Sequence, residues 1–291
     1  MPLRYDELSR WSIPDATQRY TERDAILYAL ATGLGSDPLD PHHLAFTYEK
    51  GLKTLPGLGF VVGTPGAWFA DPVTGITFNR LVNAGVSAQF HAPLPPQGEV
   101  IGRTRVKTLA DRGKDKGALL VTQRQVSEAQ SGRLLCEVET TYLLLADGGF
   151  GGPAPAATAA PPVLASVPDE VLDFRTLPQA ALIYRLTGDA NPLHVDPAYA
   201  LHAGFERPIL HGLCTLGMVT HRLVFARCAH DPARLKSIRG RFVKPLIPGE
   251  TLRVELWGHG AEIALRARSL ERDVVVLDHG FAQVDIPQGT A

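Results

Sequence analysis

From Tyr184 to Pro197 the chain reads YRLTGDANPLHVDP, which sets a carboxylate, Asp189, five residues ahead of an imidazole, His194. Residues from about 178 to 187 are compatible with a helix, since a proline is tolerated in the first turn, and Gly188 suits its end. Asp189, Ala190, Asn191 and Pro192 favour a turn. Asp196 and Pro197 then supply a cap and a first-turn proline for the next helix. The acid and the imidazole are therefore expected on a short connection between two helices. Together at one water molecule they can share the removal and return of protons. Adding water to a 2,3-enoyl thioester needs this, because attack at C3 releases a proton and C2 gains one. Each such proton transfer is typically worth about 10²- to 10⁴-fold. Asn191 is the candidate for orienting the water or the imidazole. Without the histidine, Asp-x-Asn-Pro reads as turn and cap chemistry alone.

Tyr-x-x-Thr-Gly-Asp-x-Asn-Pro-Leu-His resembles, at every position from Tyr184 to His194, the motif of (R)-specific enoyl-CoA hydratases and MaoC-like dehydratases. The likeness is tight from Leu182 to Glu255 and looser elsewhere. It implies that Asp189 and His194 are the catalytic pair, with Asn191 in support. It also implies an α+β double hot-dog fold, two repeats of an antiparallel sheet wrapped around a central helix. Within Arg207–Leu213, Gly212 stands near the start of a long apolar stretch. Glycine lets backbone approach a ligand closely, and a helix N-terminus offers free N–H groups and a dipole that favours negative charge. The corresponding glycine N–H in the resembling family helps hold the thioester oxygen, which makes Gly212 the oxyanion-site candidate; close helix packing is its other reading. His211 reads as structural, having no partner evident in the sequence. Arg241 and Lys244 suit the phosphates of CoA through forked and point-charge contacts. Lys114 and Lys116 lie in DRGKDKGA, 111–118, similar to a Lys/Gly-rich segment beside the CoA in long family members. For all four, an ordinary solvated charge is the alternative.

Residues 147–168, DGGFGGPAPAATAAPPVLASVP, are a Gly/Pro/Ala-rich linker with nothing to anchor a core. It separates an N-terminal repeat, 1–146, from a C-terminal one, 169–291. Each repeat carries the same features in the same order. AILYALATG at 25–33 matches ALIYRLTG at 181–188, and FHAPL at 90–94 matches FVKPL at 242–246. Tyr28 and Tyr184 are 156 residues apart, Phe90 and Phe242 are 152 apart; two matches at nearly one offset argue for duplication. Segments 118–126, 134–145, 252–257, 261–268 and 274–284 read as strands. The stretch from Ile209 to about Ala229 is apolar on most faces, and its length favours a helix. A sheet with one apolar face must cover it, and this helix is the cover.

The first repeat keeps Tyr28, Thr32 and Gly33 but places Leu34 where Asp189 would stand and Leu39 where His194 would stand. His42 and His43 come too late to substitute, so this half is expected to be inactive. The resemblance implies that it forms the acyl-chain pocket, with residues 55–69 as lining or as core packing. Long members carry a Leu-His-Gly-Glu-Gln-like stretch where this chain has LVNAGV, 81–86.

The chain has 291 residues, 45% of them hydrophobic and 20% charged, which is a globular composition. Its 29 basic and 30 acidic residues give no general attraction to nucleic acid or anionic lipid. No signal peptide, membrane span or peroxisomal address at Gln288–Ala291 is evident. Cys136, Cys214 and Cys228 are scattered and odd in number, which suggests a reducing compartment, and Cys214 and Cys228 read as buried packing residues. The expectation is a cytoplasmic homodimer acting on acyl-CoA in fatty acid metabolism, with no metal and no further cofactor. A hot-dog acyl-CoA thioesterase and a non-catalytic acyl-CoA-binding protein are the alternatives.

Overall fold

Alternation of apolar and polar residues makes the strands. In the first half these are β1 (Ala16–Tyr20), β2 (Leu81–Phe90), β3 (Gly98–Asp111), β4 (Ala118–Glu128) and β5 (Leu134–Leu144). The second half repeats the set as β6 (Glu170–Arg175), β7 (Leu235–Phe242), β8 (Thr251–Trp257), β9 (Glu262–Ser269) and β10 (Val274–Val284). On β4 the inward positions are Ala118, Leu120, Thr122, Arg124 and Val126, every second residue, as a half-buried strand requires. The computed structural model describes residues 3–156 and 167–286. Residues 157–166 of the linker and Gln288–Ala291 lie outside them.

The strands form one 10-stranded sheet in the order β1-β3-β4-β5-β2-β7-β10-β9-β8-β6. Every pairing is antiparallel. The second half of this order is the first half reversed, so the halves meet edge to edge through β2 and β7. Adding the 152-residue offset to Ser87 gives Arg239, and these two residues are partners across that seam. The duplication read from sequence is thus a local two-fold relation centred on one residue pair. This is the double hot-dog arrangement.

The helices are α1 (Tyr5–Ser9), α2 (Glu22–Ala31), α3 (Pro41–Leu44), α4 (Ala180–Tyr184), α5 (Pro197–His202) and α6 (Gly212–Arg227). Residues from Cys214 to Val224 on α6 are buried almost throughout, which its apolar surface on most faces demands. The helix starts at Gly212 rather than Ile209 because the Leu210 N–H donates to Leu246 O at 2.8 Å. It ends at Cys228, where Ala229 and His230 turn into the left-handed region.

Among the described residues the first half has no long central helix. The chain there makes a short 3₁₀ turn, Pro56–Phe60, that packs against α6. Leu55, Leu58, Phe60 and Val62 are buried. Tyr28 is wedged between this turn and α6. A Cβ on Gly57 would stand 2.4 Å from its hydroxyl and one on Gly217 2.6 Å from it. Glycine at both positions makes the approach possible. One apolar core runs through both halves, from Tyr20 and Phe46 to Leu265 and Val284.

The start of the linker is better anchored than its composition suggests. Asp111, at the end of β3, accepts from the N–H groups of Gly149 and Gly151 at 2.8 Å each. Phe150 stacks on Tyr5 with ring centroids 6.1 Å apart. Backbone bonds from small residues do this work, and composition does not reveal them.

Candidate active site

Helix α4 tightens into a 3₁₀ turn, Arg185–Thr187, and Gly188 at φ +125° then redirects the chain. A side chain there would be strained, which is why glycine ends this element. The connection that follows is stitched by its own polar residues. The Asn191 N–H donates to Asp189 Oδ1 at 3.2 Å, and the Leu193 N–H donates to Asn191 Oδ1 at 3.0 Å. Asp196 accepts from Ala198 and Tyr199 N–H to open α5. Asp189 is half-buried and Asn191 exposed, whereas His194 points inward and is buried.

The Nδ1 of His194 lies 2.8 Å from Ile209 O. A carbonyl only accepts, so Nδ1 carries the proton and the neutral ring presents a lone pair at Nε2. One ligand-type atom each from Asp189, His194 and His211 lies within 4.8 Å of the others. The His211 ring stacks on His194 with centroids 3.6 Å apart and an interplanar angle of 26°. Its Nε2 is 3.2 Å from Asp189 O. Stacked imidazoles direct their lone pairs side by side rather than toward one point, so the cluster suits proton transfer better than chelation of an ion.

Burial holds the His194 pKa below the ordinary imidazole value, opposed by its bond to Ile209 O and by the charge of Asp189. Burial pushes His211 down to about 4, helped by His194 and opposed by Asp189. Both rings are therefore neutral near pH 7.

Gly212 is the first residue of α6, where an N–H has no partner within the helix. A Cβ there would meet the Phe242 ring at 3.1 Å, so the helix start lies against the end of β7. Arg241 pairs in register with Gly85 of β2 and with Asp278 of β10. Lys244 follows just beyond the strand. Leu81 at the start of β2 pairs with Leu144, which pairs with Ala118. The β3–β4 turn carrying Lys114 and Lys116 is consequently at the same end of the sheet. All four basic side chains are exposed, and that end also holds Gly212.

Three residues near the site, His211, Tyr142 and Arg124, carry no functional signal in the sequence. His211 reads as structural in the sequence, yet it stacks on His194 and bonds the Asp189 main chain. Its place beside Gly212 was the available clue. Tyr142 on β5 and Tyr184 on α4 both feel the charge of Asp189 and that of the buried Arg124. Tyr142 of the first half thus lies within electrostatic reach of Asp189 in the second. Arg124 donates to Gly59 O and Phe60 O at 2.9 and 2.8 Å. No local motif marks Arg124 or Tyr142, because the sheet alone brings them here.

The first half differs at the equivalent connection. Leu34 is buried and Leu39 is 87% exposed. His43 is buried with Nε2 3.8 Å from Asp40, but its Nδ1 is 3.2 Å from the Gly35 N–H. An N–H only donates, so Nδ1 of His43 accepts and Nε2 carries the proton toward Asp40. That tautomer, opposite to that of His194, offers no free lone pair to a water.

Residues 18–146 match the family described as MFE-2 hydratase 2 N-terminal domain, and residues 159–278 match the MaoC like domain. Enoyl-CoA hydratase 2, peroxisomal, of Arabidopsis thaliana is 34% identical over 288 residues, covering 94% of this chain and 93% of that protein. Enoyl-CoA hydratase ChsH3 of Mycobacterium tuberculosis is 34% identical over 291 residues, 98% of this chain and 99% of the relative. The crystal structure of a MaoC-like dehydratase from Phytophthora capsici superposes with a TM-score of 0.83 at 29% identity, covering 98% of this chain and 99% of that one. With both repeats matched in order over nearly the whole length, the chain belongs to the MaoC-like dehydratases of the hydratase 2 type.

Proposed function

We propose that this chain catalyses the reversible syn addition of water to trans-2-enoyl-CoA, giving (R)-3-hydroxyacyl-CoA. The observation that carries the reading is the Nδ1–H bond from His194 to Ile209 O, which leaves Nε2 as the free lone pair of a ring clustered with Asp189. Relatives named enoyl-CoA hydratase and the match to the hydratase 2 family support the same reaction and hand. It makes the chain a hydro-lyase.

Asp189 and His194 hold one water between them. As its oxygen bonds to C3, the water yields a proton to this pair, and the C2=C3 electrons move onto the thioester oxygen. The pair then delivers a proton to C2 and the carbonyl re-forms, so one water is consumed and the enzyme ends as it began. The Gly212 N–H donates to the enolate oxygen, aided by the positive end of α6. Asn191 uses Oδ1 in its own turn, and its amide NH₂ orients the water. The reaction needs no metal or redox cofactor in this scheme. Arg241, Lys244, Lys114 and Lys116 receive the CoA phosphates, and the first half, lacking a long helix, receives the acyl chain. His43 in its opposite tautomer favours a non-catalytic first half.

No described helix is long and apolar enough to cross a membrane. A cytoplasmic homodimer remains our reading of assembly and location; three unpaired buried cysteines suit a reducing compartment. The test is loss of the conjugated thioester absorbance on adding protein to crotonyl-CoA and longer enoyl-CoAs, with chiral analysis of the product. An (R)-3-hydroxyacyl-CoA is expected. Release of free CoA from saturated acyl-CoA with no hydration would make the chain a thioesterase instead.

A further inference from the structure

We propose that His211 is a positioning residue, tying the Gly212 oxyanion donor to the Asp189–His194 pair through its ring and its backbone. This rests on the hydration reading above. Acid, imidazole and oxyanion donor come from two separate stretches, residues 189–194 and residues 211–212. For one enoyl thioester to meet all three, the stretches must hold a fixed distance and angle. The His194–Ile209 bond ties the two at one point, and His211 adds contacts to both Asp189 and His194 from the position next to Gly212. Its backbone leads directly into Gly212 as the N-cap of α6. Its Nε2–H donates to Asp189 O at 3.2 Å, and its ring lies on that of His194 at 3.6 Å and on Tyr184 at 4.9 Å.

The direction of the bond follows from chemistry, since a carbonyl can only accept. Nε2 therefore carries the proton, leaving Nδ1 as an acceptor. That Nδ1 is buried without a hydrogen-bond partner among the described residues. An apolar side chain would fill the position without the cost of burying an unmet polar atom. A polar ring here thus makes sense through the bond it donates, and local rules of packing are broken where a site requires it. The groups facing the ring are His194, Asp189, Arg185 and Tyr184. Its Nε2–H is committed to Asp189 O, so the ring acts through the groups it holds.

The test compares His211→Gln, which keeps an amide donor at similar reach, with His211→Leu and His211→Asn, which lose it or fall short. Hydration of crotonyl-CoA is followed in each, with thermal melts to verify folding. Loss of registration without loss of binding should lower kcat about 10- to 100-fold in the leucine and asparagine variants, the scale of a misplaced reacting group. KM should stay within about 2-fold while His211→Gln recovers most of kcat. Wild-type kcat in folded His211→Leu overturns the inference. So does a glutamine variant as slow as the leucine one, which would mark a packing role. If the leucine variant does not fold, the contrast between glutamine and asparagine decides. Asp189→Asn is the control for the underlying reading. Inert wild-type protein, or an Asp189→Asn variant of full activity, defeats the hydration reading itself; normal controls with unresponsive His211 variants defeat only this one.

Discussion

His194 donates from Nδ1 to the carbonyl of Ile209 at 2.8 Å, and that single bond leaves Nε2 as the nitrogen with a free lone pair. The equivalent connection of the first repeat carries His43 in the reverse tautomer, with Nδ1 accepting from Gly35. Removing His194 (His194→Ala) or neutralising the acid (Asp189→Asn) should each lower kcat on crotonyl-CoA about 10²- to 10⁴-fold, as expected for a lost proton-transfer group. His43→Ala should leave kcat within about 2-fold while lowering the melting temperature, because it empties a buried position. Equal loss of turnover from His43→Ala and His194→Ala would mean that both repeats take part in catalysis.

The neutral form of His194 is the working one, and burial holds its pKa below the ordinary value. A lowered pKa keeps the ring neutral as pH falls past about 6.5, the usual imidazole value. The acid limb of kcat/KM attributable to this ring should therefore lie below that value. A pH profile of initial rates measures it directly, and an acid limb at or above pH 6.5 contradicts the burial argument.

His221, on α6, is pushed down to about 3 by burial, with Arg222 and His43 adding to the shift and the bond to Thr32 O opposing it. Unfolded, the same ring titrates near 6.5. Below that pH the unfolded chain binds a proton that the folded chain refuses, so stability falls on acidification and the loss ends near pH 3. The slope from this one residue approaches about 1.4 kcal/mol per pH unit. Urea midpoints taken between pH 7 and pH 4 should show a shallower decline for His221→Phe than for wild type.

Gly212 cannot gain a methyl group without moving Phe242, whose ring would be 3.1 Å from the new Cβ. Gly212→Ala keeps the N–H but displaces it, and kcat should fall about 10- to 100-fold. Adding Phe242→Leu, which makes room, should restore part of the loss. If the double variant is no faster than Gly212→Ala, steric displacement is not the cause.

Arg241, Lys244, Lys114 and Lys116 are exposed, and one end of the sheet gathers them. Replacing Arg241 and Lys244 by alanine together should raise KM for crotonyl-CoA about 5- to 20-fold at low salt with little change in kcat. The effect should shrink as ionic strength rises. A crotonyl thioester of N-acetylcysteamine, which has no phosphates, should show no such change in KM.

Much of the active half was legible because its signals are local. Gly188, Pro192 and Asp196–Pro197 mark turns and caps through their own backbone preferences, and the structure puts α4, the connection and α5 where those residues indicate. Strands β4, β5, β8, β9 and β10 announce themselves by strand-forming residues between turns, whereas β6 and β7 do not, and the repeat survives as paired tyrosines and phenylalanines. Other features had no local sign. His211 looks structural until the fold lays it on His194, and only strand pairing far along the chain brings Tyr142 within electrostatic reach of Asp189. The absence of a long helix in the first half was equally hidden, since apolar Leu55–Val62 serves a buried turn as well as a buried helix.

The likeness of Tyr184–His194 to a family motif pointed to the chemistry class, while turns, caps and the repeat gave the connection that carries the acid and the imidazole and the duplication. Short-range preferences encode these, and such preferences act within a few residues along the chain. Only the tertiary structure decided the tautomers of His194 and His43, the union of both halves in one sheet and core, and the placement of four basic residues at one end of that sheet. Those outcomes depend on which carbonyl, N–H or strand edge arrives from a distant part of the chain, and burial then makes each meeting binding.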